Sequence, residues 1–143
     1  MDWIACNKKR FAKSIKRDNN LINSLVQSSI KKLKTQSRLP LNGITATSKI
    51  TLVYDSLREV LEALAIANGF KIYNHECYRA FLSEVLKESA LSKDFDGFRK
   101  LRNSINYYGK DVSAEEAKQI LADMQKLIKE VKKLLNNKIT LNS

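Results

Sequence analysis

The chain has 143 residues, 43% of them apolar and 29% charged, with a formal net charge of +11. That length supports one domain with a real core and is too short for two, and the composition excludes disorder along most of it. No apolar run approaches the roughly 20 residues of a membrane span, and Met1 to Arg10 lacks the apolar run of a secretion signal, so a cytoplasmic protein with no membrane role is expected.

The charge is uneven. Residues 1–40 carry ten Lys or Arg against two Asp, residues 41–90 five against six acidic groups, and residues 91–143 eleven against seven. Basic character at both ends of the chain makes RNA, DNA or nucleotides natural partners through phosphate contacts and counterion release. The same lysines on solvated helix faces would also simply keep the protein in solution.

With one proline, Pro40, and four glycines, little interrupts helices, and an all-α fold is predicted. Phe11, Ile15, Ile22, Val26, Ile30 and Leu33 recur at helical spacing and predict one amphipathic helix from about Lys8 to Thr35, with lysines on its other face. Leu39 to Gly43 interrupts it. A second helix is expected from about Ser48 to Asn68 on Val53, Leu57, Val60, Leu61 and Leu64, closed by Gly69. After a connector from Phe70 to Tyr73, Asn74 can cap a third, with Tyr78, Phe81, Leu82, Val85 and Leu86 as its apolar stripe.

The fourth is expected from about Asp94 to Tyr107, ended by Gly109, with Phe98, Leu101, Ile105 and Tyr108 facing the core. The fifth opens on a capping box, Ser113 with Glu116, and its apolar period runs from Ala117 to Leu135; residues after about Asn136 should fray. Five helices joined by short loops pack most simply as an antiparallel up-and-down bundle forming a single domain over residues 1–143.

Two cysteines far apart, Cys6 and Cys77, with one histidine, His75, indicate neither a zinc site nor a disulfide framework, so no metal and no cofactor is expected. Asp55, Glu59 and Glu62, with Arg58 among them, have the spacing of acidic catalytic groups, but equally of i to i+3 and i to i+4 salt bridges, which is the favoured reading. No glycine-rich phosphate loop and no Ser, His, Asp arrangement is present.

The polar residues from Arg99 to Tyr108 are specific donors and rings rather than interchangeable Glu and Lys. Arg102 lies at the margin of the apolar stripe, and Asn103 and Tyr107, an i to i+4 pair, lie on roughly the opposite side. An outward aromatic residue there suits contact with a second subunit.

Arg102-Asn103-Ser104-Ile105-Asn106-Tyr107-Tyr108 resembles the signature of the HEPN domains (higher eukaryotes and prokaryotes nucleotide-binding), which are small helical bundles. Tyr54 to Leu64, followed by Gly69-Phe70 and Asn74-His75-Glu76, resembles the helical pair preceding that signature, so the likeness spans about Ser48 to Leu135. In the ribonuclease branch of that family an arginine is followed after four to six residues by a histidine, and dimerisation joins two such sites. An arginine stabilises charge on a phosphodiester, and an imidazole with a pKa of about 6.5 moves protons at neutral pH.

This chain departs from that pattern: Tyr107 stands where the histidine belongs, and a phenol with a pKa of about 10 is a poor general base. His75 is the only histidine that could replace it, although a hydrogen-bonded residue at a helix start is its simpler reading. The resemblance therefore implies a non-catalytic, dimeric nucleotide- or RNA-binding module using Arg99, Arg102, Asn103, Tyr107 and His75, with a small nucleotidyltransferase as partner. The alternatives are a metal-independent endoribonuclease of toxin or defence type, with Arg102 and Tyr107 catalytic, and a structural dimerisation module in which Arg102 and Asn103 link helices without a ligand.

Overall fold

The computed structural model describes residues 1–141, and it is mostly helical. Six α-helices follow in chain order: α1 (Trp3–Lys8), α2 (Asn19–Ser37), α3 (Ala46–Ala67), α4 (Glu76–Ala80), α5 (Ser89–Tyr108) and α6 (Ala114–Leu141). Two three-residue strands, β1 (Ala12–Ser14) and β2 (Phe70–Ile72), pair antiparallel with Ala12 opposite Ile72 and Ser14 opposite Phe70. Five residues after α4, Phe81–Val85, form a π-helical turn.

α3 is the centre. Its buried residues run from Ala46 to Ala67 and include Ile50, Val53, Leu57, Val60, Leu61 and Leu64, so apolar surface is covered on several sides, as befits a helix with neighbours around it. It packs against α2 and α6 and also touches α5 and β2. Contacts between α2 and α3 run in opposite directions, Ser29 meeting Ser56 and the Gln36 carbonyl meeting Lys49, so the two form an antiparallel hairpin. α6 completes the core with Ala117, Leu121, Met124, Leu127, Ile128, Val131 and Leu135.

Several expected signals act as predicted. Gly69 and Gly109 adopt left-handed φ values of +87° and +64° behind α3 and α5. Ser113 Oγ accepts from the Glu116 amide at 3.1 Å while Glu116 Oε1 accepts from the Ser113 amide, a reciprocal capping box. Asn74 Oδ1 accepts from the Glu76 amide at 2.9 Å.

The long first helix is not formed. α1 ends at Lys8, the chain turns through Arg10 with φ +59°, and α2 begins only at Asn19, capped by the Asp18 carboxylate on the Leu21 amide. Between them, residues with helical spacing are claimed by β2: Tyr73 N donates to Phe11 O at 2.7 Å and Ile15 N to Gly69 O at 2.9 Å. Pairing across the fold outweighs local periodicity here. The connector Phe70 to Tyr73 is thus largely strand, α5 begins five residues before Asp94, and α6 continues to Leu141 with Ile139 packed on the core rather than ending near Asn136.

The cysteines also differ from expectation: Cys6 of α1 and Cys77 of α4 form a disulfide across 71 residues of chain. The amino-terminal amine adds an ion pair with Glu76 at 3.5 Å, and the Trp3 amide donates to Glu84 at 2.8 Å. The amino-terminal segment is thereby clasped onto the middle of the chain. No helix among the described residues is long and apolar enough to cross a membrane.

Candidate functional site

Tyr54 interrupts the aliphatic stripe of α3 with a ring that carries a hydroxyl, and around it α3, α4 and α5 meet. The ring is fully buried, stacks on Phe95 of α5 with centroids 6.1 Å apart, and turns its Oη toward His75 Nδ1 at 3.2 Å. Tyr78 and Phe95 close the apolar side at 5.9 Å. Arg102 of α5 lies over the Tyr54 ring with Cζ 5.4 Å from its centroid, a cation–π contact.

Three guanidinium groups act on this spot, but they are not equivalent. Arg58 is bound to Glu62 at 3.1 Å, and Lys71 of β2 reaches the other oxygen of that carboxylate. Arg99 is bound to Asp96 at 2.9 Å, with Lys100 on the second oxygen at 3.3 Å. Burial alone would raise the Asp96 pKa, but hydrogen bonds from Arg99 and Lys100 outweigh it and hold the carboxyl below its ordinary value. Arg102 has no carboxylate partner, and its buried Nε has no hydrogen-bond partner among the described residues.

The electrostatics follow from burial and from these cations. Burial lowers the His75 pKa to about 4, helped by the charges of Arg58, Arg102 and Arg99, so the imidazole is neutral at pH 7. Burial pushes Tyr54 up to about 12 against the pull of the same arginines, and burial raises Tyr78 as well. Both phenols stay protonated. With Nδ1 engaged by Tyr54, His75 has Nε2 left for a further partner.

Of the residues expected from sequence, the fold brings Arg99, Arg102 and His75 together around Tyr54. It does not bring Asn103 or Tyr107 to them. Among the described residues the half-buried Asn103 side chain has no hydrogen bond, and the Tyr107 side chain, 70% exposed, has no ring, ion-pair or hydrogen-bond contact. Tyr108, expected in the core, is 84% exposed, because the last turn of α5 runs past the elements that cover its earlier residues. Of the acidic groups of α3, Glu62 pairs with Arg58 at i, i+4 as favoured, Glu59 bridges to Lys32 of α2 rather than along its own helix, and Asp55 has no ion pair among the described residues.

Two residues of the cluster were not among the site residues expected from sequence: Tyr54, noted only in the segment Tyr54 to Leu64, and Arg58, read as a salt-bridge partner. Their signal was available as a lone aromatic in an aliphatic stripe, four residues ahead of an arginine on the same helix face. No group of three His, Cys, Asp or Glu side chains able to hold a metal occurs among the described residues. What the cluster offers chemically is a cation without a carboxylate partner beside a neutral imidazole, chemistry suited to an anion, with no strong base in place. No family model matches the chain, and no curated protein matches it.

Proposed function

We propose that this chain is a HEPN-like module that binds a nucleotide or RNA without cleaving it. The observation that carries the reading is Arg102: a guanidinium held against the Tyr54 ring, with no carboxylate partner among the described residues and its buried Nε unpartnered. An arginine kept unpaired in a part-buried place is poised to fork onto a phosphate. Arg58 and Arg99 add field but are already bound, and His75 Nε2 supplies one directional contact to a base or sugar. The non-catalytic reading is supported by a His75 imidazole whose burial lowers its pKa to about 4, a weak base at pH 7, and by the exposure of Tyr107 away from the cluster.

In this reading the protein is a homodimer, with exposed Tyr107 and Tyr108 at the end of α5 as contact surface, and works beside a small nucleotidyltransferase. Its expected cytoplasmic placement is opposed by the Cys6–Cys77 bond, since disulfides persist mainly in oxidising compartments. Thiol trapping in cells decides between the two.

The test compares wild type with Arg102→Met for ATP binding by calorimetry and for cleavage of end-labelled RNA in EDTA. ATP binding weakened at least tenfold in the variant, with no cleavage by either protein, supports the proposal. Cleavage by the wild type that disappears in the variant makes the chain a ribonuclease instead.

A further inference from the structure

Away from Tyr54, α6 faces the turn between α2 and α3 across an open groove of about 520 Å³. Four lysines line it, Lys49 from the first turn of α3 and Lys118, Lys126 and Lys129 from α6, together with Gln36 and Gln125. No carboxylate and no aromatic ring belongs to the lining. At 100° and ~1.5 Å per residue the three α6 lysines share one face and form a cationic row about 16 Å long. None of them has an acidic partner among the described residues.

Lys49 makes this more than a solvated stripe. It is 6% exposed, and its Nζ donates to the carbonyls of Gln36 at 2.5 Å and Leu39 at 2.7 Å, capping the carboxy-terminal end of α2. That capping accounts for two of three donors and leaves the charge without a counter-ion. A desolvated cation in the wall of a groove attracts an anion more strongly than one in open water.

We propose that this groove is a second binding site, one that takes the phosphodiester backbone of single-stranded RNA without reading its sequence. A row of point charges suits phosphates carried in series. Planar carboxylates are better met by the bidentate fork of arginine, which the groove lacks. Without a ring in the lining, bases have nothing to stack on and face outward. The site shares no residue with the Arg102 cluster and does not depend on it.

The experiment is anisotropy of a labelled twelve-residue oligouridylate bound to the full chain between 25 and 200 mM salt. Lys118→Gln/Lys126→Gln/Lys129→Gln is compared with a control of equal charge loss, Lys8→Gln/Lys9→Gln/Lys93→Gln; all six positions are exposed, so both variants keep the fold. Losing three contacts should reduce the slope of log affinity against log salt by about 2, at ~0.7 per phosphate of a single strand, and weaken binding at least tenfold at 50 mM. The control should lose less than half of that.

Equal losses in the two variants, or no RNA binding by the wild type, overturn the proposal. So does displacement of the RNA by oligoglutamate of equal length, which would make the groove a peptide site, or by tripolyphosphate at equal charge, which would make it a site for isolated phosphate clusters. RNA binding lost in Arg102→Met but kept in the groove variant removes the groove and leaves the Arg102 reading standing; the reverse pattern retains the groove alone.

Discussion

Lys32 of α2 reaches across to the carboxylate of Glu59 in α3, Nζ to Oε1 at 2.5 Å, and Glu59 is 4% exposed. A buried carboxylate stripped of its cation costs about 3 kcal/mol, whereas removing both charges and filling the space costs far less. Lys32→Met should therefore lower unfolding free energy in urea by roughly 2–4 kcal/mol, and Lys32→Met/Glu59→Leu should recover most of that loss. A double variant no better than the single one would show that the pair contributes net stability.

His75 ties stability to pH. Its folded pKa of about 4 lies below the ~6.5 of an unfolded histidine, so as pH falls below about 6.5 the unfolded chain takes up the proton first. Stability from this group is complete above that point, declines as the solution is acidified, and is fully lost below about pH 4. After discounting for partial solvation the loss amounts to roughly 1–2 kcal/mol. Urea unfolding at pH 7.5 and 4.5 should show this component in the wild type and not in His75→Gln. As the only histidine in the sequence, His75 gives a single imidazole resonance by NMR, which should titrate near pH 4 and move upward in Arg58→Met.

The disulfide closes a long loop. For a separation of 71 residues, the chain-entropy account gives about 4 kcal/mol, and measured values usually fall below such figures. Cys6→Ser/Cys77→Ser should lower stability by about 2–4 kcal/mol. Mass spectrometry of the alkylated, unreduced protein checks the premise: incorporation of two labels by native protein would refute the bond.

Gly109 stands at the left-handed end of α5 with open space around the position of a Cβ. Gly109→Ala meets no clash, so its cost is conformational alone, about 1 kcal/mol. Gly109→Asn should cost less, because asparagine tolerates that conformation. Thermal melts of the two variants make the comparison.

How far the sequence foretold all this depends on whether a signal was local. Helix α3, the capping box of Ser113 and Glu116, and the glycine stops Gly69 and Gly109 depend on neighbours in the chain, and each was readable. The break at residues 9–18 was not read, although Asp18 followed by two asparagines is an N-cap signal, because Phe11 and Ile15 fit the helical stripe equally well. Only the position of β2 in space decides between them. In the site, Arg102 stood out by its segment, but its partner Tyr54 lies on a different helix and entered only as the start of the segment Tyr54 to Leu64, and Tyr107 looked functional only through its spacing from Arg102. Tyr108 had the right period and the wrong place, since periodicity cannot say where a helix outruns its neighbours.

The clasp of α1 and β1 over α4 and β2 also orders events in time. The α2–α3 hairpin joins neighbouring segments through a short turn and can close early, whereas pairing Ala12 with Ile72 and Cys6 with Cys77 must wait until a long loop has been drawn in. Thiol oxidation is therefore expected late in assembly, as a latch on an already packed core. Under reducing conditions the first region to open is the leading edge of the chain, where exposed Lys8, Lys9 and Arg10 offer trypsin its earliest cut, so the rate of that nick is a direct clock for the state of the latch.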